Sequence, residues 1–387
     1  MTRFALALCL FPVLAAAQYD GAIPPPVARR KGWEAVKEAE ARRLLGYLAG
    51  PETEGRGTGQ PGFQKAADFM AAEFKRIGLK PMGDGGTYFQ SAPFNRWRAE
   101  GVTLVGATQP VPIVLTQPGD TLGKSGPLVV IDPDSQLPNE AKLKGAIAVI
   151  DGQLDGKKLR ALREIGPAAV LTVVDEIGEP VWRVSKTGTP RPTRIITGRI
   201  ARRSLPTLRT ATLLTIKGEV KSEKTMVPNV IGYLPPTAEK ATDEVVGIGA
   251  HLDHLGNVNG VVYPGADDDG SGCTALVLTA VPAPRRRGVL FMAFHGEEMG
   301  LFGSAHYADN PKFPHPKMIA EIQMDMVGRD SDGVQNGDPS RVDKAEENRD
   351  TIRLVGSKRI STELDEIILR QNRHTMFRFK YDAEDVY

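Results

Sequence analysis

After Pro228 the chain alternates apolar runs with helical stretches, and its polar residues cluster where those runs end. The runs at 229–233, 245–250, 289–294 and 319–326 read as strands. Long apolar strands separated by helices specify an α/β fold with a mixed, mostly parallel sheet flanked by helices. His251-Leu252-Asp253 follows the second run, and Gly265-Ala266-Asp267-Asp268-Asp269-Gly270-Ser271-Gly272 opens the next helix. His295-Gly296-Glu297-Glu298 follows the third run, and Met324-Asp325-Met326 closes the fourth. Open α/β sheets bind ligands at the carboxyl ends of their strands. Each segment alone has an ordinary explanation: a core or surface histidine, a solvated turn, an acidic pair at a helix start. Together they would gather uncompensated negative charge at one end of a sheet, a cost that a divalent cation removes. A mixture of imidazole and carboxylate suits zinc, and cobalt or manganese can replace it.

The rest of the chain narrows the class. Lys+Arg 49 against Asp+Glu 47 leaves a net charge of +2, which offers no basic field for a nucleic acid. No apolar run reaches the length of a membrane span. Thr2 and Arg3, the apolar stretch 4–14 and Ala15-Ala16-Ala17 read as a signal peptide, 1–17, cut after Ala17. The protein is therefore expected in the periplasm or outside the cell. Leu8 stands where a lipoprotein cysteine, here Cys9, needs a small residue, so no lipid anchor is expected. Cleavage leaves Cys273 without a partner for an internal disulfide.

Apolar spacing predicts helices over 32–47 and 63–77, the second closed by Gly78. Between residues 100 and 222 the texture turns to short β runs (111–115, 128–131, 146–150, 168–174) with one helix at 157–165. This marks a β-rich insert between an N-terminal part, 18–99, and the main domain, 223–387. GDTLGKS at 119–125 lacks the glycine spacing of a phosphate loop. Neither G-x-S-x-G nor a strand–helix G-x-G-x-x-G occurs. His306, His315 and His374 read as non-catalytic, and His254 has at most a supporting role beside the site.

The ordered set HLDHLG (251–256), PGADDDGSG (264–272), FHGEEMGLFGS (294–304) and MDMVGR (324–329) resembles the di-zinc aminopeptidases of the leucyl aminopeptidase type. These are relatives of glutamate carboxypeptidase and the transferrin receptor, with a zinc-exopeptidase, phosphorylase/hydrolase-like fold. LAGPETEGRGTGQPG (48–62) and NVIGYLP (229–235) match as well. LKGAIAVIDG (143–152) and GPAAVLTVVD (166–175) resemble an inserted protease-associated domain.

The resemblance implies that His251 and Asp325 hold one zinc, Glu298 the other, and that Asp268 bridges them. It implies that Asp253 orients His251 and that Glu297 is the general base for a water activated between the two metals. The activity implied is removal of N-terminal residues from peptides. The family pattern also carries a further histidine, on the zinc of Glu298, after the stretch that here is KYDAEDVY at 380–387. His374 precedes that stretch and does not match it. This chain is therefore expected to bind at most one zinc well, to hydrolyse peptides poorly, and to leave an apolar edge strand. Other readings of the site stay open: a catalytically impaired relative that binds peptides or proteins, a carboxypeptidase, or a single-zinc glutaminyl cyclase. Retention of both Glu297 and Glu298 favours hydrolysis over a binding module.

Overall fold

In this computed structural model the apolar runs beginning at 245, 289 and 319 pair as parallel strands whose carboxyl ends fall at one level. The structure describes residues 21–117, 122–132, 135–152, 154–185, 195–258, 260–281, 283–328, 333–335 and 338–381. The signal-peptide reading of 1–17, with Cys9, lies outside the described residues, as does most of 380–387.

Residues 38–280 and 284–326 form the larger of two units. Along the chain it comprises α1 (Glu38–Leu48) and α2 (Pro61–Arg76), then the long strand β1 (Phe89–Val105). Next come β2 (Ser125–Ile131), β3 (Ile147–Ile150), α3 (Gly156–Ile165), β4 (Ala169–Val174) and β5 (Ile196–Ala201). The long strand β6 (Leu213–Leu234) follows, then β7 (Val245–His251), α4 (Gly272–Leu278), β8 (Gly288–Phe294), α5 (Phe302–Asp309) and β9 (Met318–Gln323).

β7 runs parallel to both β8 and β9, while β6 lies antiparallel to β8. The sheet is thus mixed. β8 explains its own composition: Phe291 and Ala293 face one apolar cluster, Leu290, Met292 and Phe294 the other. A strand buried on both faces reads as an unbroken apolar run. α2 turns Phe63, Ala66, Met70 and Phe74 inward at helical spacing, all at most 1% exposed, and Phe74 meets Phe291 edge-on at 6.3 Å between ring centroids. Each large side chain so buried contributes about 1.5–3 kcal/mol. Gly78, at φ +80°, closes the helix as expected: its N–H donates to Lys75, and that of Leu79 to Phe74.

β2, β3, β4 and β5 form a parallel ladder, and β1 and β6 lead to it as a long antiparallel pair from Val230↔Phe89 to Thr215↔Val105. Ile147, Leu171, Ile196, Leu104 and Ile216 form its core. β9 stands at the end of the strand order, with Ile319 and Ile322 exposed.

The one helix expected over 32–47 is instead two, Val27–Ala35 and Glu38–Leu48, because Val36 is extended (φ −72°, ψ 117°). The smaller unit holds residues up to 37, 281–283 and 327 onward. In it the strands Thr351–Leu354 and Arg378–Tyr381 pair in parallel beside the helix Thr362–Asn372. Among the described residues no helix is long and apolar enough to cross a membrane.

Candidate metal centre

Register brings the polar segments together. His251 pairs with Phe294, so the residues after Phe294 emerge beside it; Gly249 pairs with Gln323, so two residues further on Asp325 emerges on its other side. His251 Nε2 lies 3.2 Å from Asp268 Oδ1, 3.5 Å from Asp325 Oδ1 and 3.9 Å from Glu297 Oε2. The second oxygen of Asp268 points elsewhere: Oδ2 is 3.7 Å from His254 Nδ1, which is 2.6 Å from Glu298 Oε1. His251, Asp268 and Asp325 form one group whose donor atoms all lie within 4.8 Å of one another, and His254, Asp268 and Glu298 form another. Metal–ligand bonds of about 2.0–2.1 Å at tetrahedral angles set donor atoms about 3.3 Å apart. The first group, at 3.2 and 3.5 Å from His251 Nε2, fits a small divalent cation of the zinc kind, whereas in the second His254 and Glu298 stand closer, as an ion pair at 2.6 Å.

Supporting contacts hold these side chains. His251 Nδ1 lies 3.0 Å from the main-chain carbonyl of Asp253 and 3.8 Å from its carboxylate, so the carbonyl is the nearer orienting group and Nε2 is left to face the carboxylates. The Asp253 carboxylate, fully buried, accepts from Thr58 Oγ1 (2.8 Å) and from the Glu297 N–H (3.0 Å), fixing the start of the Glu297-Glu298 segment. Asp269 accepts from the N–H groups of His251 (3.1 Å), Gly272 (2.9 Å) and Met326 (3.2 Å). It therefore ties the end of β7, the start of α4 and the Asp325 loop together.

Arg56 is the largest fully buried side chain. It donates to the carbonyls of Leu252 (2.9 Å), Pro264 (2.8 Å), Gly265 (2.8 Å) and Leu48. One guanidinium thus fastens both ligand-bearing loops to α1. The turn that delivers it requires glycine at 55, where φ is +75° and a Cβ would fall 2.1 Å from the carbonyl oxygen of Tyr263.

The electrostatics follow from this crowding. Burial works against the charge of His251, but Asp268, Asp325, Asp269 and Asp253 outweigh it and raise the imidazole to about 11. Burial likewise acts to raise Asp268, yet His251, His254 and Arg56 hold its carboxyl below the usual range. Burial pushes Asp269 up to about 8, with Asp325 adding to the effect against the pull of His251. Burial also lifts Glu297 above the ordinary carboxylate value; His251 pulls it down while Asp253, Asp325 and Glu298 push it further up. A carboxylate of raised basicity at the mouth of such a site suits proton transfer. A bound cation would supply the compensation that the proton on His251 otherwise gives.

His295 has a different standing. It is fully buried, Phe94 lies edge-on at 5.2 Å, and neither ring nitrogen has a hydrogen-bond partner among the described residues. Burial, aided by His306, depresses it to about 3. The unfolded chain gains this proton near pH 6.5 and the native state does not, so stability falls as pH drops from about 6.5 to about 3, in all by on the order of 5 kcal/mol. His295→Met is expected to stabilise the protein by about 1–3 kcal/mol at pH 7 and by more at pH 4. Urea unfolding at the two pH values checks both; an equal effect at the two would refute the titration account.

The structure brings together His251, Asp253, Asp268, Glu297, Glu298 and Asp325, the residues singled out from the sequence. It adds Arg56, Thr58 and Asp269 as supports, and sets His254 against Glu298. The sequence signals for these were the segment 48–62 and the aspartate triplet, which showed importance without showing a contact. A cleft of about 460 Å³ adjoins the His254 group, lined by Thr58, Trp97, Arg183 and Glu298; another of about 300 Å³ adjoins His251, Glu297 and Asp325.

Residues 229–379 match the family model described as "Peptidase family M28". That stretch of the chain is similar to peptidase family M28. The segment assigned to M28 includes His251, Asp253, His254, Asp268, Glu297, Glu298 and Asp325, so both donor groups sit within it. Aminopeptidase YwaD of Bacillus subtilis is 36% identical over 106 residues, 26% of this chain and 22% of that protein. An aminopeptidase of Pseudomonas aeruginosa is 24% identical over 357 residues, 82% of this chain and 62% of that protein. This chain thus spans about three fifths of the length of the second relative and about a fifth of the first. Among solved structures it resembles BSAP, a zinc aminopeptidase from Bacillus subtilis, with a TM-score of 0.53 at 22% identity over 76% of this chain and 70% of that one. That likeness is one of fold.

Proposed function

We propose that this chain is an exported, zinc-dependent aminopeptidase that removes N-terminal residues from peptides. The observation that carries the reading is one carboxylate, Asp268, whose two oxygens face two different imidazoles, with the basic Glu297 alongside. His251, Asp268 and Asp325 would hold one cation, and Asp268 and Glu298 would belong to the other. When bound, the cations supply Lewis acidity, acidifying water and polarising a carbonyl. Glu297 would take a proton from the attacking water and return it to the departing amine. Asp253 and Thr58 keep the Glu297 backbone in place for that transfer, and the clefts on either side receive the peptide. The names of the M28 relatives support the aminopeptidase choice, and the leader-like residues 1–17 support export. The domain boundaries 18–99, 100–222 and 223–387, with a protease-associated-like insert, belong to the same reading.

Arg183, lining the cleft beside Glu298, favours a second reading in which a substrate carboxylate is received there and residues leave from the C-terminus. Matched peptides decide between them. The aminopeptidase reading expects release of amino acids from a free N-terminus, none from the N-acetylated peptide, and no effect of C-terminal amidation. The opposite pattern would replace it with the carboxypeptidase reading.

A further inference from the structure

We propose that the cleft beside Glu297 receives the cationic side chain of an N-terminal lysine or arginine, and that Glu321 recognises it. The proposal rests on the aminopeptidase reading and names the substrate class of that same site.

The pleat sets alternate side chains of three neighbouring strands on one face of the sheet. β8 contributes Leu290, Met292 and Phe294 to that face. In register with them, β7 contributes Gly247, Gly249 and His251, and β9 contributes Glu321 and Gln323. Two glycines in the middle strand leave a trough with an apolar wall on one side and a polar wall on the other. A Cβ at Gly247 would stand 2.9 Å from Met292 Cε and 3.0 Å from Glu321 Cγ. A Cβ at Gly249 would stand 2.3 Å from Gln323 Oε1, 2.6 Å from Glu321 Oε1 and 3.0 Å from Phe294 Cε2. These walls line the cleft of about 300 Å³, which also borders His251, Glu297 and Asp325.

Although β9 stands at the end of the strand order, the carboxyl of Glu321 is turned over Gly249. Gly249 lies two residues before His251 on the same face, a step of about 7 Å. A peptide held beside Glu297 by its first carbonyl would lay its first side chain along Met292 and Phe294. The four-carbon stem of a lysine then bridges to Glu321 and leaves its ammonium there. Among the described residues Glu321 has no hydrogen-bond or ion-pair partner, and loss of water over the glycines pushes its carboxyl up to about 7. An ammonium or guanidinium beside it offsets that loss and restores the charge. A neutral side chain of equal length leaves the carboxylate unpaired, and an acidic one meets a like charge.

The test compares peptides identical except for an N-terminal lysine, glutamate or norleucine, the last being lysine without its ammonium. They are assayed with zinc-restored wild type, Glu321→Gln and Glu321→Lys. Wild type is expected to favour lysine over norleucine in kcat/KM by at least about tenfold. Glu321→Gln should bring that ratio to within about threefold of unity, and Glu321→Lys should favour glutamate over lysine. The ratio does not depend on the fraction of a preparation that is folded. A wild-type preference for norleucine, or a ratio unchanged in Glu321→Gln, would overturn the proposal and leave the aminopeptidase reading intact. Calorimetry with lysinamide and norleucinamide reads the cleft without turnover. If no peptide is cleaved, the aminopeptidase reading falls. Tighter binding of lysinamide, lost in Glu321→Gln, would then still uphold the assignment of the cleft, and equal binding of the two amides would overturn it.

Discussion

Glu297→Gln is expected to lower kcat by about 10²–10⁴-fold with KM and bound metal close to wild type. Two adjacent glutamates divide the work. Glu298 Oε1 points at His254 from 2.6 Å, whereas Glu297 Oε2 stands 3.9 Å from His251 Nε2 with its side chain 33% exposed to the cleft. Burial and the neighbouring carboxylates Asp253, Asp325 and Glu298 make Glu297 more basic than an ordinary glutamate, against the pull of His251. Glutamine keeps its size and its backbone bond to Asp253 but cannot accept the proton. Steady-state kinetics with metal analysis on the same samples checks this. A rate within about threefold of wild type would remove Glu297 from the base role, and loss of metal together with rate would make it a ligand.

The second large effect is expected at Arg56, a fully buried residue. Arg56→Met should destabilise the chain by about 3–5 kcal/mol and weaken cation binding by about 10–100-fold. The carbonyls of Leu252, Pro264, Gly265 and Leu48 lose a buried donor together, and the buried carboxylates of Asp253 and Asp269 lose a positive neighbour. Arg56→Lys should rescue little, because one ammonium cannot reproduce the planar fork that spans both loops. Denaturant unfolding and Co²⁺ titration measure the two effects. A stable Arg56→Met that keeps its metal affinity would show that the loops hold their places without the guanidinium.

The contrast between Glu297 and Arg56 shows what could be read from the chain alone. His251, Glu297-Glu298 and Asp325 were legible because parallel strands in register turn equal distances past a strand end into spatial neighbours. α2 was legible because 63, 66, 70 and 74 are spaced for one helix face and Gly78 stops it. Arg56 was not: its bonds to Leu252 and Gly265 cross 196 and 209 residues, and no local periodicity encodes such a contact. The break at Val36 escaped for the opposite reason, since the apolar spacing runs on through it. Asp268 and Asp269 are neighbours in sequence, yet one faces two imidazoles and the other only backbone N–H groups. Their φ/ψ values of −97°, 101° and −119°, 45°, not their composition, separate them. The pairing of His254 with Glu298 was not legible either, because only the approach of the 50–62 segment and Gly265 fixes its ring.

The most direct test of the whole account is the matched-peptide assay run on metal-stripped and zinc-restored protein. The account predicts release of N-terminal residues from the unblocked peptide, its loss on stripping, its return with zinc, and no release from the acetylated peptide in any sample. Turnover by the stripped chain, or cleavage of the acetylated peptide, would contradict it.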